Sequence, residues 1–415
     1  MLILIATLSS ILFIFMWRRG FYQVPFGDSS SYVASAIEVR GEIIQGTSKF
    51  WSVGIYNIIL AKFVGRSIKG YRFVSFLQLS ITSCILYVSL SGYSFLYSVP
   101  FLIFFYIFVL TRQGIQLLTP GPRWFGYTLS WLMCLALLSL KDNIFYEIFF
   151  ICGFVLLFYT GKFWRQLNVY WLLILIFCSF KLFFTCFLLI ILLLVFSPSA
   201  RRALTDQISF IINEIKVQNS FGLKLLKLSK RDLALFLTWI GPIILLGWSF
   251  FKFSGDYVGS YIITLIVVLI FFPPFKMVGV AERYIFAIMP LWGVGEIGSY
   301  LLIPSIFFYI IFISRHGIMG KMPDIKKFKA LLEKVKNQKI VCHSLRFNDL
   351  IFLLNPDIPV HRIQIGRYVE AQTLGEMSYS KKIYPPKIFN DTIFLESISF
   401  DEIQLELLEK LKNNF

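Results

Sequence analysis

Long apolar segments without a charge dominate the first three quarters of this chain. Leu182 to Phe196 runs for fifteen residues without a charged side chain. Soluble domains interrupt such runs with a polar face, and about 25% of their residues are charged, against 15% here. Hydrophobic residues make up 57% of the chain. The pattern excludes an ordinary soluble enzyme and predicts that residues 1–314 form a membrane-embedded module.

The apolar runs between charges predict about eleven crossings, so the expected fold class is a polytopic α-helical membrane protein. The predicted spans lie near residues 2–17, 50–65, 73–91, 94–111, 124–140, 144–161, 168–180, 182–198, 233–251, 257–274 and 284–314. Lys181 interrupts one long apolar stretch. This stretch is either two short helices that meet at a turn or one tilted helix with a lysine facing the protein interior.

The formal net charge of +17 comes from basic residues at the ends of the apolar spans. Loop orientation and anionic lipid headgroups explain this placement, so membrane lipids are the expected partners and nucleic acid is not. With a cytosolic N-terminus, the first long loop, 18–49, lies outside, and the loops predicted to be cytosolic carry more basic residues than the opposite ones. The basic segment 201–232, with periodic apolar residues, predicts a helix lying on the inner leaflet.

From residue 315 onward the composition becomes that of a soluble module, and we expect a small C-terminal α/β domain over 315–415. Helical spacing of apolar residues begins at Phe328, and a capping box opens the last helix at Ser399. Segments 340–342 and 360–365 are predicted strands, and 345–354 is a predicted helix. The tail histidines and the cysteines lack metal-ligand spacing, so neither a metal nor another cofactor is expected.

The loop 18–49 holds the candidate catalytic residues. Its centre reads Gly27-Asp28-Ser-Ser-Ser-Tyr32, followed by an amphipathic helical pattern. The Asp28 carboxylate is placed to accept a proton from an acceptor hydroxyl, while Arg40 and Lys49 are placed to neutralise a phosphate leaving group. Each has a structural alternative, because Asp28 before three serines is also a good helix N-cap and Lys49 suits the snorkelling position before a span. Glu38 and Glu42 are either a solvated face or further acids.

These features resemble the GT-C superfamily of membrane glycosyltransferases, in particular the lipid A aminoarabinose transferases and the protein O-mannosyltransferases. The resemblance rests on the pattern Gly-Asp-x-x-x-Tyr-x-x-x-Ala after one span and on the segment ERYIFAIMPLW, which begins at Glu282. It implies that Asp28 is the catalytic base and that Lys49 and Tyr56 lie at the lipid phosphate. Phe50-Trp51 replaces the prolines that commonly follow the lysine, and a serine replaces the usual second acidic residue after the first aspartate.

The resemblance further implies an inverting transfer of a sugar from a polyprenyl-phosphate donor to a lipid, glycan or protein acceptor. The transfer would take place on the non-cytosolic face of a bacterial inner membrane. Arg283 is either a cytosolic anchor or, if the crossings are miscounted by one, a residue that points into the lipid cavity. The alternatives are a flippase or transporter of lipid-linked sugars, a ligase or polymerase of lipid-linked oligosaccharides, and a scaffold subunit.

Overall fold

The computed structural model describes most of the predicted membrane module and short parts of the tail. The described residues are 1–18, 56, 59–60, 68–110, 119, 121–139, 143–205, 207–208, 230–254, 257–272, 281–292, 296–316, 325–334, 339–342, 350–351, 353–354, 392–395 and 405–409. They are almost entirely helical. In hydrocarbon, a helix satisfies every backbone hydrogen bond within its own segment, which is why apolar sequences of this kind fold as helices.

Twelve helices are described in the membrane module, and a 3-10 turn at Met289–Trp292 follows the eleventh. They are α1 Leu2–Arg18, α2 Ile68–Leu90, α3 Phe95–Val109, α4 Pro122–Leu138, α5 Ile144–Thr160, α6 Lys162–Cys178, α7 Phe180–Phe196, α8 Pro198–Thr205, α9 Lys230–Ser254, α10 Tyr257–Leu269, α11 Ala281–Ala287 and α12 Glu296–His316.

Length and composition single out the helices that can cross a bilayer by themselves. Gly70–Leu90 in α2 and Leu233–Lys252 in α9 are long and apolar enough, and α7 with α8 makes a third if this bent pair is one span. Six other apolar helices have 10–17 residues. The protein is therefore a helical membrane protein.

The stretch around Lys181 forms two short helices, as one of the two sequence interpretations holds. Ser179 has extended backbone and ends α6, and its side chain caps α7 by accepting from the backbone N–H of Leu182 at 3.4 Å. Lys181 is 73% exposed and lies 2.8 Å from the Glu147 carboxylate at the start of α5. The tilted-helix alternative, with a lysine facing the interior, is therefore wrong.

Helices α4 to α7 alternate in direction, so their ends sort into two groups. Phe150 stacks edge-on against Trp171 at 5.4 Å, while Asn168 donates to the Phe154 carbonyl at 3.1 Å, as expected for an antiparallel pair. Short connections at residues 139–143 and 179 lie at one end of the bundle, and those at 161 and 197 lie at the other. We call the end with the connections at residues 161 and 197 the loop-bearing end.

Helices α1 and α2 are antiparallel, which corrects the sequence-based topology. The hydroxyl groups of Ser9 and Ser83 lie 2.7 Å apart, and the ring centroids of Phe13 and Phe76 lie 5.9 Å apart. The Arg72 guanidinium lies 4.9 Å from the centre of the Trp17 ring. A single crossing at 50–65 between them would make the two helices parallel. The loop 18–49 therefore begins at the same end as α2, and the expectation that these two ends lie on opposite faces is wrong.

The physical reason is the nature of the short apolar run 50–65, which the sequence predicts as the second span. Among its described residues, Leu60 packs with Tyr71 and Val74, and the Tyr56 hydroxyl meets Gln78. These contacts place Tyr56 and Leu60 alongside the first half of α2. An apolar run of fewer than ~20 residues identifies a buried segment without establishing that it traverses the bilayer.

A cluster of aromatic rings forms the centre of the bundle. The ring of Trp239 on α9 packs edge-on against Phe104 and Trp292, with centroid distances of 5.3 Å and 6.1 Å. Phe286 on α11 stacks against Phe105 at 5.7 Å. Such pairs add about 0.5–1.5 kcal/mol each beyond burial. The cluster holds α3, α9 and α11 together and fixes α11 deep inside the protein.

The described parts of the tail contain helix α13, Ile325–Lys334, and the strands β1, Lys339–Cys342, and β2, Thr392–Leu395. The strands pair in parallel, with Ile340 opposite Ile393. The helix with Phe328 and the strand at 340–342 are confirmed. The predicted strand 360–365 and the capping box at Ser399 lie outside the described residues.

Candidate functional site

Most of the candidate residues from the first loop lie outside the described residues. These are Asp28, Glu38, Arg40, Glu42 and Lys49. The structure describes Tyr56 and Arg283, together with the helix ends that surround them. Their surroundings define the part of the candidate site that has a geometry.

Tyr56 is almost completely buried, at 3% exposure. Its hydroxyl accepts a hydrogen bond from the Gln78 side-chain amide at 2.6 Å, and its ring lies 5.5 Å from Phe125 on α4. Trp124 packs in the same cluster and donates from its indole N–H to Thr82 at 3.0 Å. Tyr56 therefore joins its segment to α2 and to the start of α4.

The start of α4 and the start of α11 bring charged groups together at the loop-bearing end. Pro122 occupies the first turn of α4, where its missing N–H leaves no helical bond unmade, and Arg123 follows it. The charges of Arg283, Arg123 and Glu282 all act on the Tyr127 hydroxyl. Glu282 is only 4% exposed. Two guanidinium groups and one carboxylate thus lie near one buried hydroxyl.

Tyr284 extends this cluster to α6. Its hydroxyl donates to the Gln166 side-chain oxygen at 2.6 Å, and its ring lies 4.7 Å from Tyr170. The Arg283 guanidinium lies 5.9 Å from the ring of Phe163, which belongs to the same helix as Gln166. This cation–π contact joins the start of α11 to α6.

An apolar groove runs from this cluster between α6, α10 and α11. It encloses a cavity of about 20 Å³, room for one water molecule, and is partly open to the outside. Its walls include Leu167, Tyr170, Ile263, Ile270, Tyr284 and Ile288. Tyr170 and Tyr284 therefore belong both to the groove and to the polar cluster. An apolar groove beside basic residues is a surface on which a lipid with an anionic head can lie.

The chain leaves helical geometry between α11 and α12, inside the bundle. The carbonyls exposed by this break accept from side chains: Trp131 donates to Phe286 at 2.9 Å and Ser130 to Ala287 at 2.6 Å. Trp292 donates to Ile285 at 3.3 Å. Discontinuous helices in transporters use such carbonyls to coordinate ions. Here side-chain donors already hydrogen-bond to these carbonyls, so the break is part of the packing between helices.

The described part of the chain contains no group of three or more His, Cys, Asp or Glu side chains that could hold a metal ion. The acidic residues of the loop 18–49 lie outside that part. Arg123 and Arg283 are the basic residues near Tyr127 in the described part of the cluster.

Arg283 is the one candidate that the sequence named and the structure places in a cluster. The antiparallel pairing of α1 and α2 removes one predicted crossing, and the choice between a cytosolic anchor and a cavity residue for Arg283 stays a prediction. Sequence reasoning missed Arg123, Gln166 and Tyr284 as partners. Gly121-Pro122 was the available signal for a helix start at Arg123, since proline favours the first turn.

Comparison with known proteins gives no match, whether with a family model, a curated protein or a solved structure. The geometry above therefore carries the functional argument.

Proposed function

We propose that this protein is an integral membrane glycosyltransferase. It transfers a sugar from a polyprenyl-phosphate donor to a lipid, glycan or protein acceptor, as in the synthesis of cell-envelope glycans in a bacterial inner membrane. The observation that carries the proposal is the apolar groove that ends at Tyr170 and Tyr284, beside Arg283 and Arg123. The proposal includes a GT-C-like polytopic membrane module, without the predicted crossing at 50–65, and a small α/β domain at its C-terminus.

In the proposed reaction the acceptor hydroxyl oxygen attacks the anomeric carbon, and the bond from that carbon to the phosphate oxygen breaks. The hydroxyl proton passes to the Asp28 carboxylate. The electron pair leaves with the lipid phosphate, whose added charge Arg283, Arg123 and Lys49 stabilise. Attack opposite the leaving group inverts the configuration at the anomeric carbon. The step needs no redox partner.

The arrangement of helix ends supports one shared site. The loop that holds Asp28 begins at Arg18, next to the start of α2, because Trp17 contacts Arg72. Tyr71 on α2 packs with Trp124 at the start of α4. Arg123 and Arg283 act on the same tyrosine. The end of α1, from which the loop with Asp28 starts, and the cationic cluster thus lie at the same end of the bundle, which supports the proposal.

A flippase for lipid-linked sugars is the second candidate, because it would use the same groove and the same cations. The broken helix between α11 and α12 is the observation that favours it. The occupied carbonyls at Phe286 and Ala287 count against an ion-coupled mechanism there. A ligase or polymerase of lipid-linked oligosaccharides would use related chemistry with a larger donor.

The test is transfer of labelled sugar from a panel of synthetic polyprenyl-phosphate sugars by the purified full chain. We expect turnover by the wild type, none by Asp28→Asn, and a rate reduced about 10²-fold or more by Arg283→Gln, since one cation at a developing charge is worth that much. Lys252→Gln, at the opposite end of α9, is the matched control and should keep wild-type rates. Donor binding without turnover by the wild type would reject the enzyme and favour the flippase.

A further inference from the structure

The loop-bearing end of the bundle collects basic side chains that the proposed reaction does not use. Arg201 and Arg202 lie on α8, directly after α7, and both are exposed. At the opposite end, the described basic side chains are Lys181, paired with Glu147, and Lys252. This difference in charge between the two ends bears on which leaflet each end faces. It does not depend on the proposed enzyme activity.

Helix α8 leaves α7 at an angle of 101°. Since α7 exposes apolar side chains along its length, among them Phe184, Ile191 and Phe196, it faces lipid. A helix bent this strongly from a lipid-facing one lies nearly in the membrane plane, at the level where α7 ends. The Arg201 guanidinium is fixed at that level, because it donates to the carbonyls of Val195 at 2.6 Å and Leu194 at 3.1 Å.

The side chains of this segment divide by angle around the helix. Ala200, Ala203 and Gln207 are buried, and the two alanines pack against Phe158 at the end of α5. Next to this inner face, Leu204 and Ile208 are exposed apolar residues. The arginines follow on the far side. The order of inner face, apolar flank and basic flank is that of an interfacial helix, whose apolar flank enters the acyl boundary while its arginines meet headgroups.

We propose that α8 is a docking surface for anionic phospholipid headgroups of the cytosolic leaflet. Charge complementarity and the continuity of α8 with the lipid-facing surface of α7 identify the occupant. Anionic lipids concentrate in the cytosolic leaflet, and basic residues accumulate on that side of membrane proteins. The loop-bearing end then faces the cytosol, as the sequence predicts for segment 201–232, and Met1 lies outside, opposite to the cytosolic N-terminus that the sequence predicts. Since α1 ends at Arg18 on this same end, the loop that holds Asp28 starts on the face opposite to the one that the resemblance implies for the transfer.

The first test measures binding of phosphatidylglycerol to the detergent-solubilised full chain by native mass spectrometry, with phosphatidylcholine for comparison. Arg202→Gln should weaken binding of the first phosphatidylglycerol about fivefold, the share of one basic residue near an anionic surface. Arg202→Lys keeps the charge and should bind as the wild type does. Lys252→Gln, at the other end, should leave binding unchanged. Equal losses for Arg202→Gln and Lys252→Gln, or an equal loss of phosphatidylcholine, would overturn the docking surface.

The second test fixes the face. Thr205 on α8 and Ser91 after α2 are both small, exposed hydroxyl residues, at opposite ends of the bundle. Each is changed to cysteine in the full chain and treated with a membrane-impermeant maleimide, with the unmodified chain as background. Thr205→Cys should react only in inverted vesicles, and Ser91→Cys only in intact cells. The reverse pattern would overturn the cytosolic assignment. The sugar-transfer assay contributes to neither result, so the two proposals fail separately.

Discussion

The Lys181 ammonium group lies 2.8 Å from the Glu147 carboxylate and joins the start of α7 to the start of α5. Lys181 directly follows the turn at Ser179 between α6 and α7. The pair therefore links α7 to α5 at the end of the bundle opposite the cationic cluster. The lysine is 73% exposed, and both residues lie in the first turn of their helices, at the end of the bundle. The chemistry of the two groups is therefore that of a surface ion pair and not that of an intramembrane proton relay.

This exposure predicts a small energetic contribution. In a double-mutant cycle of Glu147→Gln and Lys181→Gln, we expect a coupling free energy of about 0.2–1 kcal/mol that falls as salt is raised. The measurement is the unfolding free energy in detergent at two ionic strengths. A coupling well above this range, insensitive to salt, would mean that the pair is buried in the folded protein.

The glycines on helix faces differ in what an added methyl group would meet. At Gly126, a Cβ would overlap the indole of Trp164, a rigid ring that is itself fully buried. At Gly153, the nearest atom is Cγ of the flexible Met133 side chain, at 2.8 Å. We expect Gly126→Ala to lower the unfolding free energy by about 1–3 kcal/mol and Gly153→Ala to lower it by less, because methionine can move aside. Thermal denaturation in detergent measures both.

Gly92 is the matched control for this pair, because an added Cβ there meets nothing within 4 Å. Gly92→Ala should leave the midpoint of denaturation close to that of the wild type. Equal losses at Gly126 and Gly92 would show that the effect comes from the backbone and not from the Trp164 contact.

The sequence predicts local features of this fold well and its long-range arrangement less well. The turn beside Lys181 and the strand at 340–342 follow from charge and apolar spacing, which act between near neighbours. The antiparallel pairing of α1 with α2 depends on whether one short run between them crosses the bilayer. Hydropathy does not decide that question, and one miscounted crossing reverses every later loop.

The candidate site shows the same division. Asp28, Arg40 and Lys49 were named from a local pattern and lie outside the described residues. Arg283 was named with its environment left open. Its neighbours Arg123 and Gln166 come from helices far away in the chain, and their meeting depends on the packing of α4, α6 and α11. No spacing in the sequence encodes that contact.

The broken helix between α11 and α12 depends on a hydrogen bond from Trp131 to the Phe286 carbonyl, at 2.9 Å. Trp131→Phe removes this donor and leaves a buried carbonyl unsatisfied, which costs about 1–3 kcal/mol in addition to lost packing. Trp239 is equally buried, but among the described residues its indole N–H has no hydrogen-bond partner. Trp239→Phe therefore loses packing alone and should destabilise less. Denaturation midpoints of the two variants give the comparison, and a larger loss for Trp239→Phe would contradict it.

The apolar groove gives a prediction about donor chain length that rests on the proposed function. Ile266 lines the groove between α10 and α6, away from the cationic cluster. Ile266→Trp fills space that a long isoprenoid chain would occupy, while a donor with a short chain would leave that space empty. Because the surrounding lipid or detergent is as apolar as the groove, the effect comes from steric exclusion and lost packing contacts, and we expect the KM for long-chain donors to rise about tenfold. The KM for short-chain donors should change little. The measurement is the ratio of kcat/KM for the two donors in the variant and in the wild type; an unchanged ratio would mean that the donor chain lies elsewhere, even if Asp28→Asn still abolishes transfer.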